Sequence, residues 1–250
     1  MSGQLVRMVN VSKSYGRIQA LKSMDLEMEP GEIVGLVGDN GAGKSTLVKI
    51  LVGAIQANPG AKIFFKGEEV RIHKPIDAIN LGIESIYQES SLVNTLNISR
   101  NLFLGREPIK KFGPFPYLDM AKMNSEAHAL MKKVGIKRID LDTQISNLSG
   151  GERQSIAIAR AMYFEKDLII LDEPTNQLGI EEIQSVLSFV VKAKEKGHSC
   201  LFITHNIHHI YRVADRIVVL RAGQKVGDLK KSETSIEKIE ELIIGAPVLV

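Results

Sequence analysis

The stretch Gly35–Leu51, GLVGDNGAGKSTLVKIL, allows few folds. An apolar run meets glycines at positions 38, 41 and 43, and a helix-forming segment follows at once. This order of strand, Gly-rich loop and helix needs a strand end that opens onto a helix N-terminus. Glycine takes backbone angles closed to other residues and lets the main chain approach a bound group closely. Successive N–H groups of Gly38, Asp39, Asn40, Gly41, Ala42 and Gly43 then line an anion nest. The helix starting near Lys44 adds free N–H groups and the positive end of its dipole. The implied ligand is a nucleotide with Mg²⁺. Lys44 is placed for the β- and γ-phosphates, the Ser45 hydroxyl for the metal, and Gly38 to Thr46 together hold the phosphates. The competing reading, a Gly-rich turn that happens to carry a lysine, does not account for the flanking strand and helix.

A length of 250 residues fits one large α/β domain or two small ones. Hydrophobic residues at 44% and charged residues at 24% are ordinary for a globular protein, and a net charge of +3 is too small to argue for nucleic acid. Cys200 is the one cysteine and sits in the apolar run Cys200-Leu201-Phe202-Ile203, so a buried small hydrophobe is expected rather than a nucleophile or a disulfide. No apolar stretch reaches the length of a membrane span, and the opening residues MSGQLVRMVN lack the apolar core of a signal peptide. The expectation is a cytoplasmic protein whose link to a membrane comes through a partner.

Along the chain, residues 4–29 read as strands, with Met24, Leu26 and Met28 alternating with Asp25 and Glu27. Ile33–Val37 delivers the phosphate loop and Ser45–Val52 is its helix. Further strands are expected at Ala61–Phe65, Val70–Ile72 and Glu84–Tyr87, with a short helix from Pro75. Residues 89–163 change character and read as an interrupted helical segment. Helices are expected at Asn97–Leu104, from Asp119 to Val134 (Met123, Ala127, Leu130, Met131 and Val134 on one face, Gly135 ending it), and at Glu152–Phe164. Residues 105–118, with glycines and prolines throughout, read as a loop. Regular order returns with the buried strand Leu168–Leu171. The helix Ile180–Lys196 follows, with Ile183, Val186, Leu187, Val190 and Val191 toward the core. Then come the strand Ser199–Ile203, a short helix Asn206–Val213, a hairpin over Arg216–Asp228 and a closing helix Ser235–Ile244. The fold class is α/β with a mainly parallel sheet, an N-terminal antiparallel β part and an inserted helical subdomain. The boundaries are 1–88 and 164–230 for the nucleotide-binding core, 89–163 for the insert and 231–250 for the C-terminal helix, all within one domain.

Leu168–Leu171 ends in Asp172-Glu173-Pro174-Thr175, which sets two carboxylates at the carboxyl edge of the sheet where α/β folds bind ligands. Asp172 is placed to hold Mg²⁺ through water, and Glu173 to orient or deprotonate an attacking water. By itself this would be an ordinary acidic turn; beside the phosphate loop it is a catalytic candidate. The stretch Leu148-Ser149-Gly150-Gly151-Glu152-Arg153-Gln154 then closely resembles the signature of ATP-binding-cassette ATPases. Ser149, Gly150 and Gly151 open a helix and form a second anion site, with Gln154 one turn further on. The resemblance implies that this signature closes on the ATP held by a second cassette. It also implies that Gln88 contacts Mg²⁺ and the attacking water, that His205 is the switch histidine at the γ-phosphate, and that Tyr15 stacks on adenine. His205, His208 and His209 share a helix face, but no Cys or carboxylate joins them, so surface positions are expected for the last two rather than a metal site.

The chain further resembles the ATPases of bacterial ribose-, fructose- and xylose-type importers, through its phosphate loop, Asn101–Pro108 and Asn176-Gln177-Leu178-Gly179. Gly179 stands where the wider family has Asp, in a loop that crosses the dimer interface. The resemblance implies an ATP-hydrolysing subunit, peripheral on the inner face of the cell membrane. Its implied partners are a second cassette, membrane permease subunits and, indirectly, a sugar-binding protein. The alternatives are a soluble cassette of the DNA-repair, translation or iron–sulfur type and a nucleotide sensor without turnover. Against them stand an ordinary helical insert in place of a long coiled coil, the single cassette, and the intact Glu173 and His205.

Overall fold

Period-two alternation builds the first sheet: β1 (Val6–Tyr15) and β2 (Ile18–Met28) pair antiparallel, with Met24, Leu26 and Met28 buried and Asp25 and Glu27 exposed between them. The computed structural model describes residues 3–86, 92–133, 140–163, 166–176 and 178–245. β3 (Ile33–Val37), buried along its whole length, leads through the glycine loop into α1 (Lys44–Leu51). β4 (Lys62–Phe65) returns to pair with β1, and β5 (Glu68–Val70) pairs with β4, giving the order β2-β1-β4-β5. The strand expected at Val70–Ile72 thus lies earlier. Lys66 (φ 52°) and Gly67 (φ 85°) form a tight two-residue turn that starts β5 at once, and Ile72 is buried in the core instead. α2 (Pro75–Leu81) begins on its proline and ends at left-handed Gly82, followed by β6 (Ile83–Ile86).

The insert has its own core, in which Ile98, Leu102 and Phe103 meet Met123, Ala127, Leu130, Met131 and Ile156. α3 (Ile98–Phe103) is capped by Asn97, whose side chain accepts the Arg100 N–H at 2.9 Å. Residues 109–118, expected as loop, are a hairpin of β7 (Ile109–Phe112) and β8 (Phe115–Leu118). The glycine and proline at 113 and 114 occupy only its turn, and Pro116 is tolerated because both strands of a two-stranded ribbon are edges. α4 (Met120–Lys133) starts where the Asp119 carboxylate accepts the Lys122 N–H, and Val134 and Gly135 lie outside the described residues. A 3-10 turn at Ile145–Asn147 precedes α5 (Gly150–Tyr163), two residues earlier than expected because the signature glycines are already helical. Glu84 on β6 ties the insert to the core: it accepts from Arg106 at 2.6 Å and lies 3.8 Å from Arg160 of α5, all three nearly buried. Removing a nearly buried carboxylate that answers two guanidiniums at once should destabilise the fold.

β9 (Leu168–Asp172), α6 (Ile180–Glu195), β10 (Ser199–Thr204), α7 (Ile207–Val213), β11 (Arg216–Arg221), β12 (Gln224–Lys230) and α8 (Ile236–Ile244) complete the core. The second sheet runs β12-β11-β3-β10-β9-β6, parallel from β11 to β6, with β12 as an antiparallel edge. α6 packs Val186, Leu187, Phe189, Val190 and Ala193 inward. Val191, expected there, is exposed, since about 100° per residue carries it past the edge of that arc. Arg216 clamps the far end of the sheet by hydrogen bonds to Glu32 and Asp228. Cys200 is buried, and desolvation pushes its thiol up to about 12, which makes it an inert apolar filler. The parallel register sets Thr204 beside Val37 and Ile203 beside Asp172. The loop after β3, the acidic turn after β9 and the His205 turn after β10 therefore emerge at one edge.

Candidate active site

At that edge lies a cleft of 690 Å³ lined by Asn40–Thr46, Glu173, Asn176, His205 and the β2 residues Ile18, Gln19, Ala20 and Lys22. The phosphate loop is strained into shape by contacts that only glycine permits. Gly38 has φ 153°, and a Cβ there would stand 2.2 Å from the backbone oxygen of Leu220. Gly43, the left-handed N-cap of α1, would place a Cβ 2.7 Å from the Ala20 oxygen. Asn40 donates its N–H to its neighbour Asp39's carboxylate at 2.7 Å, and Ala42 donates to the Asp39 carbonyl at 3.1 Å. Lys44 is nearly buried and folds back on the loop, donating to the Gly38 carbonyl at 2.7 Å and the Asp39 carbonyl at 3.1 Å. Desolvation lowers its pKa, while Glu173, Asp172 and Asp39 pull the other way. A phosphate entering the nest offers this ammonium a stronger, charged acceptor than two carbonyls.

Glu173 has φ 50°, a left-handed angle that costs a non-glycine residue about 1 kcal/mol or more. Its N–H donates to the Ile203 carbonyl at 2.9 Å, which extends the β9–β10 ladder by one rung before the chain turns. That turn aims the carboxylate along the edge. The His205 N–H donates to Oε1 at 3.1 Å, the His205 ring Nδ1 lies 3.0 Å from the same oxygen, and the Thr204 hydroxyl donates to Oε2 at 3.3 Å. Glu173 is thereby held on both oxygens, while the ring of His205 remains half exposed to the cleft.

Asp172 is partly buried, and its Oδ1 is closed off from solvent with no hydrogen-bond partner among the described residues. Burial raises its pKa, and the neighbouring Glu173 adds to the rise. An orphaned carboxylate oxygen beside the α1 N-terminus fits a hydrated Mg²⁺, which prefers one or two carboxylates with phosphate and water oxygens. Ser45, exposed at the first turn of α1, completes that donor set. Because Asp172 takes up a proton more readily folded than unfolded, its contribution to stability is lost as pH rises from 3.8 through the raised value. Asp172→Asn should therefore raise the melting temperature at neutral pH and abolish the further rise that Mg²⁺-ATP gives the parent protein. Thermal denaturation with and without the nucleotide checks both, and a lower melting temperature for the bare variant would contradict the first.

Tyr15 stands half exposed at the β1–β2 corner, paired across the turn with Ile18; it is Ile18 that lines the cleft. Gln88 and the side chain of Gln154 lie outside the described residues. His208 is exposed, whereas His209 is half buried with Nδ1 3.1 Å from the Thr175 hydroxyl, so it braces the acidic turn rather than standing on the surface. Burial lowers its pKa and keeps the ring neutral for that contact. Among the described residues no cluster of His, Cys, Asp and Glu forms a metal site of its own.

Ser149 opens α5 with a capping box: its hydroxyl and N–H both donate to the Glu152 carboxylate, and the Glu152 N–H donates back to the hydroxyl at 3.3 Å. Gly150 faces open space among the described residues, but a Cβ on Gly151 would lie 2.0 Å from Oε1 of Glu182 on α6. The other oxygen of Glu182 accepts the Gly179 N–H, and a Cβ on Gly179 would lie 2.8 Å from it. Glu182 thus sits between the N-termini of α5 and α6, in room left by two glycines. Gly179 has φ −72°, so it is wanted here for space rather than for its backbone angle. Sequence reasoning missed Glu182; a carboxylate three residues into a helix is the available signal.

The family model described as ABC transporter matches residues 21–176. The xylose/arabinose import ATP-binding protein XylG of Sulfolobus acidocaldarius is 43% identical over 96% of this chain and 93% of its own. The chain belongs to the ABC transporter family. The fructose import ATP-binding protein FrcA of Rhizobium meliloti is 37% identical over 94% of this cassette and 91% of its own length. The ribose import ATP-binding protein RbsA 2 of Streptomyces coelicolor is 36% identical over 98% of this cassette, which spans 46% of that longer chain. A solved nucleotide-free ATP-binding cassette from an ABC transporter superposes with a TM-score of 0.81 at 21% identity, over 98% of this cassette and 96% of that chain. The likeness at that identity establishes the cassette fold: an α/β core, an antiparallel sheet and a helical insert. No helix among the described residues of this cassette is long and apolar enough to cross a membrane.

Proposed function

We propose that this cassette is the ATP-hydrolysing subunit of an importer for a monosaccharide, and that it drives a membrane permease. The observation that carries hydrolysis is the Glu173–His205 pair, held 3.0 Å apart and facing the phosphate loop across one cleft. The import names of the relatives, for xylose, arabinose, fructose and ribose, supply the direction and the substrate class.

In this reading the loop from Gly38 to Thr46 holds the phosphates through its N–H groups and the α1 dipole, and Lys44 leaves the Gly38 carbonyl for the β- and γ-phosphates. Ser45, Asp172 and Gln88 are the residues that would hold Mg²⁺, which when bound neutralises phosphate charge. Glu173 polarises the attacking water, and His205 fixes both Glu173 and the γ-phosphate. Tyr15, beside Ile18, supports the adenine. Ser149, Gly150 and Gly151, with Gln154, serve the ATP of a second copy: Gly150 is open to an incoming group, and one γ-phosphate cannot occupy two anion sites on the same chain. The site of each copy is then half a site, and ATP closes the pair. The permease contacts the insert that begins at Gln88, which places the cassette on the cytoplasmic face of the membrane, with a sugar-binding protein acting on the far side.

Three measurements test this. Specific ATPase activity should rise with protein concentration through the range in which ATP-induced dimers form, and turnover by the monomer as fast as by the dimer would refute the shared site. In proteoliposomes with its permease, the ATPase rate should rise on addition of sugar-loaded binding protein. Purification of the cassette in a stable complex without any membrane subunit would defeat the importer reading.

A further inference from the structure

The hairpin β7–β8 is unlike the rest of the surface. Ile109 is 63% exposed, Phe112 79%, Phe115 73% and Tyr117 51%. By register Phe112, Phe115 and Tyr117 share one face of the ribbon and Ile109 lies on the other; large exposed apolar side chains grouped in this way mark a contact site, because monomers seldom leave them in water. A lone two-stranded hairpin is also marginal in water, so it does not gain its stability from being bare. It is nonetheless pinned at its base. The Asp119 N–H donates to the Pro108 carbonyl at 2.8 Å, and Lys110 pairs with the Asp119 carboxylate at 2.9 Å. The pinned base holds the tip, Phe112-Gly113-Pro114-Phe115, away from the fold rather than letting it collapse onto α4.

We propose that this hairpin is a lipid-contacting foot, which inserts Phe112 and Phe115 into the boundary between headgroups and acyl chains of an anionic bilayer. Three features favour a bilayer over a protein pocket. Residues 109–117 are exposed on both faces of the ribbon, and a fluid medium surrounds both faces where one flat protein surface covers only one. Aromatic rings lead and Lys111 stands one residue behind, with Lys110 held at the base by Asp119, an order that lets a long basic side chain reach phosphates while the rings enter the apolar layer. From Pro108 to Leu118 there are two lysines and no acidic residue, so the tip meets an anionic surface without repulsion. The acidic neighbours are Asp119, already paired with Lys110, and the half-buried Glu107. This goes beyond the proposed function, in which the bilayer is reached only through a permease, and it stands or falls separately.

The test is flotation of the 250-residue chain with protein-free vesicles, of phosphatidylcholine alone or with phosphatidylglycerol added. The parent chain should float with the anionic vesicles and be released by high salt. Phe112→Ser with Phe115→Ser should abolish flotation and leave ATP hydrolysis intact, since both side chains are exposed and far in sequence from the catalytic groups. Lys111→Gln, which spares the Lys110–Asp119 pair, should weaken binding about fivefold. Failure of the parent chain to float, or equal flotation of the double Phe variant, overturns the proposal. So does binding that appears only when the permease is present and is lost in that variant, for then a protein pocket receives the tip.

Discussion

Glu173→Gln is expected to lower ATP turnover by about 10²- to 10⁴-fold while ATP still binds and ATP-bound dimers accumulate. The variant keeps what positions the side chain. A glutamine has the same length, its amide oxygen still accepts the His205 N–H that now reaches Oε1 at 3.1 Å, and the left-handed backbone at φ 50° is set by the turn rather than by the charge. Only the capacity to polarise or deprotonate water is removed. Phosphate release measured beside light scattering with ATP separates the two effects. Unchanged turnover would reject Glu173 as the catalytic base, and lost dimerisation would show that its charge shapes the interface instead.

Gly38→Ala should be the most damaging change in the phosphate loop. Its Cβ would lie 2.2 Å from the Leu220 carbonyl oxygen, which is backbone of β11 and belongs to the central sheet. Neither partner can yield as a flexible side chain would, and φ of 153° adds strain of its own. The expected cost is about 3 kcal/mol or more, with nucleotide binding lost because the N–H groups of the phosphate nest shift with the residue. Gly41→Ala is the control: it shares a positive φ of 79° but meets nothing within 4 Å, so it should strain the loop by about 1 kcal/mol and leave weakened binding measurable. Nucleotide titration and denaturant unfolding of the two variants check this order, and equal damage from both would show that backbone angle, not the β11 contact, sets the requirement.

These expectations differ in origin. The phosphate loop was legible because it is a contiguous run whose residue types carry the chemistry by themselves; the Asp172-Glu173 turn could be read only beside that loop, and the signature only through its resemblance to a known family. Asp119 was likewise legible as a cap, a short polar side chain just before a helix whose N–H it accepts, whereas Asn97 and Ser235, read as helix starts, prove to be caps. The hairpin at 109–118 was hidden by its own turn chemistry: prolines and glycines mark the ends of strands as readily as loops, and with strands of four residues the breakers outweigh the pattern between them.

What local pattern cannot carry is which distant segments touch. Sheet order and register brought the Gly38, Glu173 and His205 turns to one edge, and folded β2 over the loop so that Ile18, Gln19, Ala20 and Lys22 form a wall of the cleft. Tertiary packing alone put Glu182 against Gly151 and left the Asp172 Oδ1 without a partner among the described residues. The sequence by itself determined the elements and the chemistry of each motif, because helix and strand periods and phosphate nests are properties of neighbouring residues. The structure decided the distances between motifs, because those depend on parallel pairings between strands separated by well over a hundred residues in the case of β3 and β10.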